Sequence, residues 1–184
     1  MNQHFKRILL FAIALMSQFV TISFACTCIG KDKQTIEKEL NFVDLAVKGK
    51  IIDVADFEYY DTTSYSLAGI KFDLKQSSYL VRKYKSYKLV VQSKFKANYV
   101  TSDTIQILTG YGSGDCGFEF EIGKEYIIYG LPWKEKSILI RQRKKKQKRK
   151  IIENTISNKF YTDICRLTQI ANSDELEKLK KLTE

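Results

Sequence analysis

Alternating apolar and polar positions fill most of the chain beyond residue 45, and a short amphipathic stretch frames them at each end. Between Asp32 and Leu45, the residues Ile36, Leu40, Val43 and Leu45 recur at near-helical spacing, with Asp32 or Thr35 as the cap. From Leu45 to Tyr59 the pattern turns strand-like, through Ala46, Val47, Gly49, Ile51, Ile52 and Val54. The polar, aromatic-dotted stretch from Tyr60 to Ser78 reads as a long loop or an irregular hairpin. Tyr84 to Ala97 places Tyr87, Leu89, Val91 and Phe95 on one face and Lys88, Val90, Gln92 and Lys94 on the other, as in a half-buried strand. Asp103 to Thr109 repeats the alternation with Ile105 and Ile107.

A glycine cluster, Gly110, Gly112, Gly114 and Gly117, then breaks the pattern around Cys116, where tight turns and close backbone packing are expected. Glu119 and Glu121 alternate beyond it as a solvated strand edge. Glu125 to Leu131 is a continuous apolar run bounded by Gly123 and Pro132, the mark of a short buried strand. Ser137 to Ile140 reads as a further strand that ends in the basic run 141–150, expected to be a solvated loop. Phe160 to Ile164 gives a last extended piece. Asp174 to Leu182, capped by Ser173 or Asn172, carries Leu176, Leu179 and Leu182 at helical spacing. The sum is a mainly β chain of five or six strands with a helix near each end, for which a small closed or nearly closed β-barrel is the expected architecture.

The first 25 residues stand apart from this pattern. Basic Lys6 and Arg7 precede an apolar run from Ile8 to Met16, and the small residues Ser23 and Ala25 sit three and one positions before Cys26. That order is the order of a secretory signal cut between Ala25 and Cys26, and the apolar run is too short for a permanent span. A lipoprotein signal also ends at a cysteine, but it favours leucine where Ser23 stands, so anchoring through a lipid on Cys26 is the weaker expectation. Removal of the leader leaves residues 26–184 as one secreted or periplasmic domain of 159 residues, with the net charge reduced from +10 to +8.

All four cysteines, Cys26, Cys28, Cys116 and Cys165, belong to the exported part, where an even number reads as a disulfide framework. Three pairings are open in principle. Joining Cys26 to Cys28 would close a strained small ring, so each reaches a distant partner and the first residues are pinned to the body. The only histidine, His4, departs with the leader, which removes every histidine-based triad, general base or zinc ligand set. The glycines lack the spacing and the following Lys-Ser/Thr of a phosphate loop. The chain is therefore expected to be no enzyme and to carry no cofactor or metal of its own.

The mature Cys26-Thr27-Cys28 terminus is followed by a helix and by Asp44-Leu45-Ala46-Val47-Lys48-Gly49-Lys50. Next come Thr109-Gly110-Tyr111-Gly112-Ser113-Gly114-Asp115-Cys116-Gly117, with Phe120, Gly123, Lys124 and Tyr126, and finally Thr162-Asp163-Ile164-Cys165-Arg166. In this order the motifs resemble the tissue inhibitors of metalloproteinases, and more closely their bacterial netrin-like relatives. The resemblance implies a five-stranded OB-like, netrin-like barrel with flanking helices and the pairs Cys26–Cys116 and Cys28–Cys165. It also implies inhibition of a zinc metalloendopeptidase, with the Cys26 amino nitrogen and carbonyl oxygen on the partner's zinc and Thr27 in the adjoining pocket; the chain itself is expected to be a monomer. Cys28 then completes the terminal clamp, and Asp115 falls in the second contact loop.

A different class of function rests on Arg141, Arg143, Lys144, Lys145, Lys146, Lys148, Arg149 and Lys150, eight basic residues in ten. Such a run attracts a polyanionic surface, whether sulfated glycan, nucleic acid or anionic membrane. On that alternative the protein is a binding module and its disulfides only hold the fold.

Overall fold

In the computed structural model, which describes Cys28 and residues 33–61, 80–112, 114–143 and 146–184, the hydroxyl of Thr35 accepts the Lys38 amide at 3.3 Å and starts helix α1, Ile36–Phe42. Six strands follow. They are β1 (Leu45–Asp61), β2 (Leu80–Ala97), β3 (Thr104–Thr109), β4 (Glu125–Arg143), β5 (Lys146–Tyr161) and the two-residue β6 (Gln169–Ile170). The Asn172 side chain caps the closing helix α2, Ser173–Thr183, by accepting the Glu175 amide at 2.9 Å. Of the two candidate caps at each helix, Thr35 and Asn172 are the ones used.

The strands close on themselves. β1 pairs antiparallel with β2, β2 with β3, β3 runs parallel to β5, β5 pairs antiparallel with β4, and β4 returns to β1 through Leu45↔Gly130 to Lys50↔Glu125. The result is a mainly β chain built on a closed ring of five strands, with two helices outside it. The residues Leu45–Lys50 are the junction, since they pair with β2 on one edge and β4 on the other.

Strand alternation sorts the apolar residues between two cores. Leu45, Val47, Ile51, Tyr87, Leu89, Ile105, Ile107, Tyr126, Ile128 and Phe160 fill the ring, joined by Phe120. Ala46, Ile127 and Tyr129, one residue out of step, face the helices and meet Val43 and Leu179. The run from Tyr126 to Tyr129 is apolar throughout because both of its faces are covered.

Several expectations are corrected. The strand does not stop at Pro132; β4 continues to Arg143, with a register shift between Pro132 and Lys134 that accommodates a residue lacking an N–H. Ser137–Ile140 is part of that strand. Phe160 is the penultimate residue of the 16-residue β5, most of which alternation alone does not reveal. The described part of the basic run is strand and not loop: 141–143 end β4 and 146–150 begin β5, paired from Arg141↔Lys148 to Arg143↔Lys146. Glu119 and Glu121 lie outside any strand, bonded to Lys85 and Lys124. Beyond Asp61, the stretch read as a loop lies outside the described residues up to residue 79.

Bending β1 around the ring requires three register shifts, the middle one between Lys48 and Gly49. A Cβ at Gly49 would stand 2.5 Å from the Val90 carbonyl oxygen and 2.8 Å from Leu89 Cγ, so no side chain fits at this bend. Gly49→Ala is expected to lower stability by about 1–3 kcal/mol through overpacking. Urea denaturation checks this, and an unchanged midpoint would show that the bend relaxes freely.

Candidate functional site

Cys28 is disulfide-bonded to Cys165, with Cα atoms 5.2 Å apart and 137 residues between them in the chain. The receiving segment is rigidly built. Thr162 donates its hydroxyl to the Tyr129 carbonyl at 2.7 Å and lies 3.0 Å from the Thr168 hydroxyl, which in turn accepts the Tyr129 amide at 3.1 Å. The Asp163 carboxylate accepts the Cys165 amide at 2.9 Å. Tyr129 also donates its phenol to the buried Glu175 of α2 at 2.6 Å, and burial together with that bond pushes its pKa far above the ordinary tyrosine range.

A second tether runs beside the disulfide. Glu39 projects from α1 into the interior, where only 1% of it is exposed. Its carboxylate pairs with the Arg166 guanidinium at 3.4 Å and also accepts the Gln34 side-chain amide. The same guanidinium lies 4.5 Å over the Phe42 ring and 3.9 Å from Asp163. Cys28 and α1 are thus held to the segment around Cys165, the one by a covalent bond and the other by a partly buried ion pair.

Cys116 sits in the glycine-rich turn after β3 with φ +58°, a left-handed conformation. Asp115 organises that turn by accepting the amides of Tyr111 at 2.7 Å, Gly112 at 2.8 Å and Gly117 at 3.3 Å. The backbone at Gly117 approaches so closely that a Cβ there would fall 2.0 Å from the Gly110 carbonyl oxygen. Thr109 accepts the Phe118 amide at 2.7 Å. Tyr111 donates its hydroxyl to Asp56 of β1 at 2.5 Å, which links the turn to the sheet, and this bond raises the phenol pKa to about 12.

The two cysteine segments meet. Ile164, next to Cys165, donates its amide to the Cys116 carbonyl at 3.0 Å. Cys116 is itself disulfide-bonded, so two bridgeheads from distant parts of the chain stand side by side.

Of the expected site residues, Cys26 and Thr27 lie outside the described residues, and so does one half of the expected Cys26–Cys116 pair. Cys28–Cys165 is observed. Asp115 lies in the turn before Cys116, with its carboxylate engaged by three backbone amides. Arg141 and Arg143 end β4, and Lys146, Lys148, Arg149 and Lys150 begin β5, whereas Lys144 and Lys145 lie outside the described residues. Among the described residues no cluster of three or more His, Cys, Asp or Glu side chains can hold a metal ion. Glu39 was not singled out from the sequence, although its place three residues after Ile36 and four before Val43 sets a carboxylate on the apolar stripe of α1. Neither a protein-family model nor a curated protein sequence matches the chain.

Cys165→Ala opens a loop whose closure is worth roughly 5 kcal/mol in the chain-entropy treatment, so its denaturation midpoint is expected to fall steeply. A midpoint within error of the parent would assign the stability to the Glu39–Arg166 tether. Asp115→Ala is expected to act locally, speeding hydrogen exchange at the Tyr111 and Gly112 amides while β3 stays protected. Unchanged protection of both amides would mean that the turn holds without the carboxylate.

Proposed function

We propose that the mature chain is an exported, netrin-like inhibitor of zinc metalloendopeptidases, folded as an OB-type barrel and acting through the amino terminus at Cys26. The observation that carries this reading is the contact between the bridgehead segments, the Ile164 amide on the Cys116 carbonyl. A Cys-x-Cys terminus bridged to both would be clamped at two points about 7 Å apart along the chain. The five-stranded ring with a helix before β1 and another at the end of the chain is the arrangement that an OB-type, netrin-like domain calls for, and supports the fold reading. On this reading the disulfide of Cys116 is made to Cys26.

The chemistry follows from that clamp. An α-amino group has a pKa of about 7.7–8.0, so near neutral pH a useful fraction carries a lone pair for a Lewis-acidic metal. The carbonyl oxygen of the same residue supplies a second donor in a five-membered chelate. Because both bridges fix the terminus before encounter, little conformational entropy remains to be lost on binding. Thr27 enters the neighbouring pocket of the protease as the residue that sets preference. Asp115 acts one step back, holding the turn that carries Cys116, and its engaged carboxylate argues against a direct ionic contact with the protease.

Protein beginning at Cys26 is expected to inhibit a zinc endopeptidase reversibly at about 1:1. The extent of inhibition should fall about tenfold per pH unit below the amine pKa, as the lone pair is taken by a proton. One alanine added before Cys26 replaces the amine by a peptide nitrogen with no available lone pair, and inhibition is expected to disappear with the fold intact. Inhibition kinetics across a panel of zinc proteases test both points. Equal potency of the extended protein overturns chelation, and inactivity of both proteins across the panel overturns the inhibitor reading.

A further inference from the structure

The ribbon made by the outer ends of β4 and β5 carries a charge arrangement that the inhibitor reading does not use. No acidic residue occurs between Glu135 and Glu153, and the basic residues of 141–150 fall in that interval. The register sets Arg141 opposite Lys148, Arg143 opposite Lys146 and Lys150 opposite Leu139. Directly opposed residues of an antiparallel pair share a face, and so do residues two apart along one strand. Arg141, Arg143, Lys146, Lys148 and Lys150 therefore fall on one face, while Arg149 falls on the other with Ile140, Gln142 and Gln147.

We propose that this face is a binding stripe for a sulfated polysaccharide. The rows of the stripe repeat at about 6.7 Å along the strands, twice the rise per residue, and stand about 5 Å apart across them. Like charges placed directly opposite one another disfavour the pairing. A linear polyanion laid along the ribbon converts that repulsion into attraction and releases its own counterions. Single-stranded nucleic acid is the poorer fit, because binding to it relies on aromatic side chains that stack the bases, and no Phe, Tyr or Trp occurs between Trp133 and Phe160. The preference for sulfate over phosphate polymers rests on the reading of residues 1–25 as an export signal, and is independent of protease inhibition.

The test uses mature protein from Cys26 and a size-defined heparin oligosaccharide, with single-stranded DNA, duplex DNA and anionic phosphatidylserine vesicles as competing probes. One variant carries Arg141→Gln, Arg143→Gln, Lys146→Gln and Lys148→Gln. A control removes the same charge through Arg149→Gln with Lys134→Gln, Lys178→Gln and Lys180→Gln, all outside the stripe. Heparin binding is expected to weaken at least about tenfold in the first variant, with a shallower salt dependence, and less than about threefold in the control. Arg141→Lys with Arg143→Lys, which keeps the charge and guards against a folding artefact, is expected to retain binding. Adding alanine before Cys26 is expected to leave heparin binding unchanged, which separates this proposal from the inhibitor reading. Equal losses in stripe and control variants would reduce the effect to net charge and overturn the stripe. Tighter binding of DNA or vesicles than of heparin, or no binding at all, would overturn the glycan.

Discussion

Six residues of β1, Leu45–Lys50, carry hydrogen bonds on both edges, to β2 and to β4, and without that double pairing the sheet would be open. Closure removes two exposed strand edges at once and gives the interior a fixed volume. It also demands curvature, which the register shifts along β1 provide and which Gly49 permits by leaving room for the Val90 carbonyl. The ring in turn sets where everything else can stand. Tyr126 and Ile128 point inward while Ile127 and Tyr129 point outward, so a single strand roots the inner core and the docking face for both helices.

Around that outward face the two ends of the domain are drawn together. Tyr129 is the hub: its backbone holds Thr162 and Thr168, and its phenol holds Glu175 of α2. The segment so fixed carries Cys165 and Arg166, which receive Cys28 and the Glu39 of α1. Such an ion pair is a poor source of net stability, yet removal of Arg166 strands the buried Glu39 carboxylate, so the pair acts as a register pin for α1. The disulfide and the pin hold Cys28 and α1, each by its own bond, to the segment around Cys165.

How far the sequence foretells this molecule depends on what kind of signal each part leaves. Both helices announce themselves through caps and spacing, and β3 through clean alternation, since each has one buried face. The Cys28–Cys165 bridge matches what the family resemblance implies, whereas spacing alone leaves two long-range pairings open. β5 leaves little trace: Glu153, Asn154, Thr155, Ser157 and Asn158 are polar on both faces, because much of the strand extends beyond the filled ring. Pro132 reads as a stop only when its missing N–H is assumed to be needed, and the shift in register beside it removes that need. The glycine cluster around Cys116 marks a turn, but no residue type tells whether the Asp115 carboxylate faces a partner or closes three amides of its own turn.

The basic run shows most clearly why composition misleads. Lysine and arginine disfavour burial, not strand geometry, and a two-stranded ribbon asks for no burial on either face. Beyond Lys134, no strand other than β5 pairs with β4 among the described residues. Open edges invite pairing with a second chain, and a line of lysines is one of the common ways to prevent it. Edge protection alone, however, would be served by charges spread over both faces and mixed in sign. Five cations on one face, two pairs of them directly opposed, exceed that requirement and weaken the ribbon they protect.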